Sequence, residues 1–121
     1  MPWKDERVSG CLFCAIAAGE IPADIVMSDD DVVAFRDVNP KAPVHVLVIP
    51  RAHYANAAAV AAQAPQLAAA LVSAAARAAE LEGVAESGYR IVTNTGDQAG
   101  QSVHHVHLHV LGGRDLNWPP G

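Results

Sequence analysis

The sequence predicts an α+β domain in which a five-stranded antiparallel sheet carries one long helix, with one short helix at the N-terminal end. Three observations point there. Short runs rich in Val and Ile, separated by Asp- and Pro-bearing turns, occupy residues 23–49. An alanine-dominated stretch with apolar residues at helical spacing follows them. Beyond Gly88 two more strand-like runs appear, the second alternating histidine with aliphatic residues. With 121 residues, 51% of them apolar, the chain can bury one core but not two. The expected organisation is therefore one domain over 1–121, with a core at 8–114 and a tail at 115–121.

From Cys11 to Ala18, Leu12, Ala15 and Ile16 recur at helical spacing, and Gly19 stands where a C-cap is wanted. The runs Ala23–Met27, Asp31–Asp37 and Val44–Ile49 read as an antiparallel meander turning at Ser28–Asp30 and Asn39–Pro43. Pro65 interrupts the alanine-rich stretch Asn56–Glu82; lacking an N–H, it suits a first helical turn, so the main helix is placed at about Pro65–Glu82. Leu67, Leu71, Ala74, Ala78 and Leu81 make its sheet-facing stripe, and Gly83 closes it. Tyr89–Asn94 and Val103–Leu111 complete the sheet, joined by the polar turn Thr95–Ser102. The tail ends in Trp-Pro-Pro-Gly, which suits neither a helix nor a central strand.

Met1–Val8 is polar and charged where a signal peptide needs an apolar run, and no segment approaches the ~20 apolar residues of a membrane span. A cytoplasmic protein with no membrane partner is expected. A net charge of -5 disfavours wholesale binding to nucleic acid, which needs clustered Lys and Arg. An anionic substrate must then be caught by local groups.

His105, His107 and His109 alternate with Val106, Leu108 and Val110. On a strand the three imidazoles would share one face at about 6 to 7 Å spacing, with the aliphatic residues turned to the core. Solvent-exposed histidines and a His-only metal site are the competing readings. The upstream turn favours anion chemistry: Asn94, Gly96, Gly100, Gln101 and Ser102 offer amide, hydroxyl and backbone N–H groups close to the first imidazole. Imidazoles beside a phosphate can attack phosphorus, donate protons or hold negative charge.

The stretch Gln101-Ser-Val-His-His-Val-His-Leu-His-Val-Leu-Gly-Gly-Arg114 resembles the histidine-triad (HIT) nucleotide-binding family, specifically its Hint branch. Cys11–Ile16, Ala34–Asp37, Ala42–Pro50, Thr93-Asn94 and Trp118–Gly121 stand in the same order as in that family. The resemblance implies a HIT-like fold and a purine nucleoside phosphoramidate hydrolase, of the adenosine 5′-monophosphoramidase type, that needs no cofactor for catalysis. It assigns His107 as a nucleophile forming a nucleotidyl-histidine, His109 to a nonbridging phosphate oxygen, His105 to orienting His107, and Ser102 to the leaving atom or a phosphate oxygen. Asn94, Gly100, Gln101 and the N–H of Val103 fall in the phosphate shell, and His45 matches a supporting fourth histidine. Leu12, Phe13, Ile16, Phe35 and Val38 fall around the base and Asp37 on the ribose. Arg36, also at the base, departs from the histidine of animal relatives, and His104 replaces an aromatic residue.

The family resemblance further implies a homodimer in which the tail, with Trp118, lies near the partner's active site. Cys11 and Cys14 at x2 spacing offer two thiolates to a metal; the pattern of some bacterial relatives maps a structural zinc onto Cys11, Cys14, His53 and His105. The alternative reading is a pair of small hydrophobic thiols. Rival functions are a dinucleoside polyphosphate hydrolase, a non-catalytic nucleotide sensor, and a zinc protein whose triad is chiefly a metal site. The Trp-Pro-Pro-Gly ending and Ser102 favour the Hint branch over the first.

Overall fold

A computed structural model describes residues 8–121; Met1–Arg7, most of the charged segment read above as no signal peptide, lies outside them. In chain order the elements are α1 (Leu12–Ala17), β1 (Ile25–Ser28), β2 (Val32–Arg36), β3 (Val44–Pro50), α2 (Ala57–Gln63), α3 (Pro65–Leu81), β4 (Tyr89–Val92) and β5 (Leu108–Gly112). The strands form one sheet in the order β1-β2-β3-β5-β4, every neighbouring pair antiparallel. The last strand in sequence is thus inserted between β3 and β4.

Strand alternation separates two cores. Val32, Ala34, Val46, Val48, Leu108 and Val110 face α3 and pack with Leu67, Leu71, Ala74, Ala75 and Ala78. Val33, Phe35, Leu47 and Ile49 point the other way and pack with Phe13 and Ala17 of α1. Small alanines on α3 let the helix lie close to the sheet, so Leu71 at 1% exposure carries much of the apolar contact. Truncating it leaves a void that an alanine-lined interface has few long side chains to fill. Leu71→Ala should therefore cost about 3 kcal/mol in chemical denaturation; a loss under about 1 kcal/mol would show that the interface collapses around the site.

The caps explain the boundaries. Asn56 Oδ1 accepts from Ala59 N at 2.9 Å and starts α2, and Pro65 occupies the first turn of α3. At the end of α3 the bonds Gly83 N to Glu80 O (3.1 Å) and Val84 N to Ala79 O (2.9 Å) make a Schellman closure around Gly83, whose φ is +77°. This closure corrects one expectation. Leu81 is 46% exposed, and Val84, turned back by Gly83, fills the core at the helix end instead.

The second correction concerns the histidine strand. It was expected from Val103, but β5 begins at Leu108, so only His109 of the three sits on it. Pro50 lies opposite the place where residue 106 would pair and has no N–H to offer. Its carbonyl is instead taken by the His105 ring, while Val106 N turns to Tyr54 O at 2.7 Å. The ladder stops at Val48↔Leu108, and His105 and His107 are presented from an irregular segment. β1 also starts two residues later than expected, at Ile25 rather than Ala23. No helix among the described residues is long and apolar enough to cross a membrane.

Candidate active site

Register builds the floor of the site. Phe35, Leu47, His109 and Val92 are successive cross-strand partners and form a row across β2, β3, β5 and β4 on the face away from α3. α1 walls the row through Phe13, whose ring meets Phe35 edge-on at 5.7 Å and His107 at 5.1 Å. Between them lies a cavity of about 540 Å³. Its lining combines apolar Leu12, Ile16, Phe35 and Val38 with polar Ser102, His107, His109 and Asp37. A single apolar pocket with a few convergent polar groups suits a small ligand with a flat apolar part and an anionic part.

Backbone groups fix the tautomers of His45 and His107, and His45 passes its own on to His109. Lys41 N donates to His45 Nδ1 at 3.0 Å, so the neutral ring carries its proton on Nε2. That Nε2–H reaches His109 Nδ1 at 2.9 Å, leaving His109 with a proton on Nε2. His107 Nδ1–H donates to the His105 carbonyl at 2.8 Å, which leaves Nε2 of His107 with its lone pair. Desolvation holds His45 below the ordinary imidazole value and His109 down at about 4. One histidine is thereby a base, and its neighbour an N–H donor.

His105 belongs to a different cluster. Its Nε2–H donates to Pro50 O at 2.8 Å, so Nδ1 presents a lone pair, and that atom lies 3.5 Å from both Cys11 Sγ and Cys14 Sγ. His53 Nδ1 is 3.5 Å from Cys14 Sγ, and the four donor atoms all fall within 4.8 Å of one another. Burial pushes His105 down to about 4 and lowers His53 as well. Two sulfurs and two neutral imidazole nitrogens converging on one point form a metal-binding group.

Several sequence-predicted residues have side chains engaged elsewhere. Gln101 is buried, accepting from Gly96 N at 3.0 Å and donating to Ala55 O at 2.6 Å and Val103 O at 3.1 Å, so its amide ties the 95–102 turn to the fold. Gly96 and Gly100 adopt φ of +86° and +82° in that turn, flanking a 3₁₀ turn at Asp97–Ala99. Asn94 and Gly100 do not line the cavity, and Val103 packs against the α1-side core. Arg36 borders the cavity, yet its guanidinium holds Glu82 at 2.7 and 2.9 Å and Asp24 at 3.0 Å, tying β2 to the end of α3. Val38 is fully exposed at the rim, His104 is exposed, and Trp118 is 81% exposed on the tail. Leu47, Ile21 and Ala23, absent from the expected site, line the cavity. Leu47 was within reach of sequence reasoning, since it stands two residues from His45 and must share its face.

A HIT-domain family model matches residues 18–116. The chain belongs to the HIT family. Purine nucleoside phosphoramidase of Escherichia coli K12 is 47% identical over 105 residues, covering 87% of this chain and 88% of that protein. An uncharacterized HIT-like protein of Synechococcus elongatus is 51% identical over 110 residues, covering 91% and 96% of the two chains. Among solved structures, a HIT family hydrolase from Legionella pneumophila superposes with a TM-score of 0.89 at 48% identity, over 93% of this chain and 100% of that one. The family match, the relative named a phosphoramidase and the solved HIT family hydrolase together make this HIT protein a hydrolase.

Ring burial in this HIT protein has a stability consequence. His105 and His109 have folded-state values near 4, below the ordinary 6.5. Above pH 6.5 both states are neutral and the full stability is present. Below it the unfolded chain takes up protons that the folded chain refuses, so stability falls as the pH drops towards 4. Thermal melts in chelator should give a lower Tm at pH 5 than at pH 7.5. An equal or higher Tm at pH 5 would mean that these rings titrate as if exposed.

Proposed function

We propose that the protein hydrolyses the P–N bond of purine nucleoside 5′-phosphoramidates through a covalent intermediate on His107. The observation that carries this reading is the fixed tautomer pair: His107 holds its proton against the His105 carbonyl and keeps Nε2 for attack, while His109 keeps an N–H for a phosphate oxygen. The name of the Escherichia coli relative, purine nucleoside phosphoramidase, supplies the substrate class.

In the first step His107 Nε2 attacks phosphorus and the P–N bond to the leaving amine breaks, the amine taking a proton from solvent that the attacking water gives back in the second step. Ser102, exposed in the cavity lining, is the hydroxyl assigned to the leaving atom. As the imidazole becomes cationic, its Nδ1–H stays on the His105 carbonyl, which stabilises the developing charge. Water then attacks phosphorus, the P–Nε2 bond breaks and the neutral base is restored. The base lies between Phe13, Phe35 and Ile16, and Asp37 accepts from the ribose hydroxyls. Asp37 is held for this by Asn39 N at 2.9 Å and lies 3.4 Å from His45 Nε2. Purified protein should release a fluorescent amine from its AMP phosphoramidate. AMP binding without any release would favour a nucleotide sensor.

Cys11, Cys14, His53 and His105 fit a structural zinc ion, because the donor set is two sulfurs and two imidazoles with the His105 lone pair already aimed at the thiols. Bound there, zinc would tie α1 to the segments carrying His53 and His105 and add folding free energy. Purified protein should contain about one equivalent of zinc per chain, and its removal by a chelator should lower the Tm by at least about 5 °C. A metal-free preparation with the same Tm would reject the site. The homodimer and the cytoplasmic location are part of the same reading; the exposed Trp118 and Val72 are apolar surface that a second copy would cover.

A further inference from the structure

We propose that Cys11 and Cys14 are a reversible thiol–disulfide pair, closed by peroxide, whose closure turns the histidine site down. Four observations converge on this pair. The two sulfurs lie within 4.8 Å of each other, drawn together because Cys11 caps α1 and its Sγ accepts from Cys14 N at 3.4 Å. Cys11 is partly exposed and stands in the wall of a second cavity, about 400 Å³, large enough to admit a small oxidant. Cys14 is buried, with its sulfur within 4.8 Å of that of Cys11, and so suits the part of a resolving thiol. Finally, the pair touches the catalytic machinery from two sides: both sulfurs contact His105 Nδ1, and Phe13, between them in sequence, meets His105 at 6.0 Å and His107 at 5.1 Å.

The chemistry is balanced by the peroxide. Cys11 sulfur attacks one peroxide oxygen, the O–O bond breaks, and a sulfenic acid and one water result. Cys14 sulfur then attacks the Cys11 sulfur, forming the S–S bond and releasing the second water. Two thiols are oxidised by two electrons and one peroxide is reduced to two waters. Any metal ion held by the two thiolates would leave at the same time. The disulfide must shorten a separation that now accommodates His105, and it draws the two ends of the Cys11–Cys14 turn together. That movement shifts the Phe13 ring against His107 and withdraws the sulfur contacts that steady His105, whose carbonyl holds the His107 proton.

The functional consequence rests on the phosphoramidase reading, whereas the disulfide itself does not, and the experiment keeps the two apart. Full-length protein is treated with hydrogen peroxide, and the peptide Val8–Arg36, which contains both cysteines, is analysed by mass before and after reductant. Loss of two hydrogens, with both sulfurs blocked to alkylation until reductant is added, is the expected result. In parallel, amine release from AMP phosphoramidate should fall about 10- to 100-fold and recover with reductant; AMP affinity, measured on the same samples, should weaken even if the reduced protein turns over no phosphoramidate. In Cys11→Ser, peroxide should leave the ratio of treated to untreated activity at one. The proposal is overturned if both thiols remain open to alkylation after peroxide. It is equally overturned if the disulfide forms with turnover and AMP affinity unchanged, or if Cys11→Ser is as peroxide-sensitive as the wild type.

Discussion

His107→Ala is expected to lower kcat for an AMP phosphoramidate by roughly 10⁴-fold or more, because it removes the attacking atom and not merely a contact. The same variant should bind AMP within about threefold of the wild type, since the proposed reading draws nucleotide affinity mostly from Phe13, Phe35, Ile16 and Asp37, which line the same cavity. The separation between kcat and affinity is the informative part. Loss of both together would place His107 in binding, and retention of turnover would mean that water attacks phosphorus directly. Because His107 is buried against Phe13, the melting curve of the variant must accompany the kinetics.

The second large effect is expected at His109. In the proposed mechanism its Nε2–H is the preorganised donor for the charge that gathers on a phosphate oxygen in both transition states, and loss of one such donor typically costs about 10²- to 10³-fold in kcat. His45→Ala should cost less, about 10-fold, because it leaves the His109 ring in place while removing the hydrogen bond that fixes its tautomer. Steady-state kinetics of the two variants and of the double variant check this. A double variant as slow as His109→Ala alone means that His45 acts through His109. Independent, multiplying losses would assign His45 a role of its own, directly or through Asp37, whose Oδ2 lies 3.4 Å away.

Much of the fold was legible because its signals are local. The β-branched runs, the proline at the start of α3 and the glycine after it each state a backbone requirement within a few residues, and five strands and the long helix follow from them. The His-x-His-x-His pattern, by contrast, was read as one strand because alternation in sequence is strand-like wherever it occurs. What breaks the strand is non-local: Pro50, more than fifty residues away, denies the ladder an N–H and takes the His105 ring on its carbonyl. The same contact turns the His105 ring to Pro50 O and the two thiols, and leaves His107 and His109 as the pair that lines the cavity. Gln101 shows the limit of composition from another side. An amide beside glycines and a serine suggests a phosphate cradle, yet here its donors and acceptor are consumed by Ala55, Val103 and Gly96. Arg36 likewise carries a charge that the family resemblance places at the base, whereas its partners, Asp24 and Glu82, are brought to it by β1 pairing and by the end of α3.

The claim on which the account turns is that phosphorus changes partners twice, first to His107 Nε2 and then to water. Each in-line displacement inverts the phosphorus centre, so two of them restore it. The most direct measurement is therefore the stereochemical outcome of hydrolysing an AMP phosphoramidate made chiral by sulfur at one nonbridging position, in isotopically labelled water. The account predicts net retention of configuration. Net inversion would establish a single attack by water and contradict the covalent role of His107.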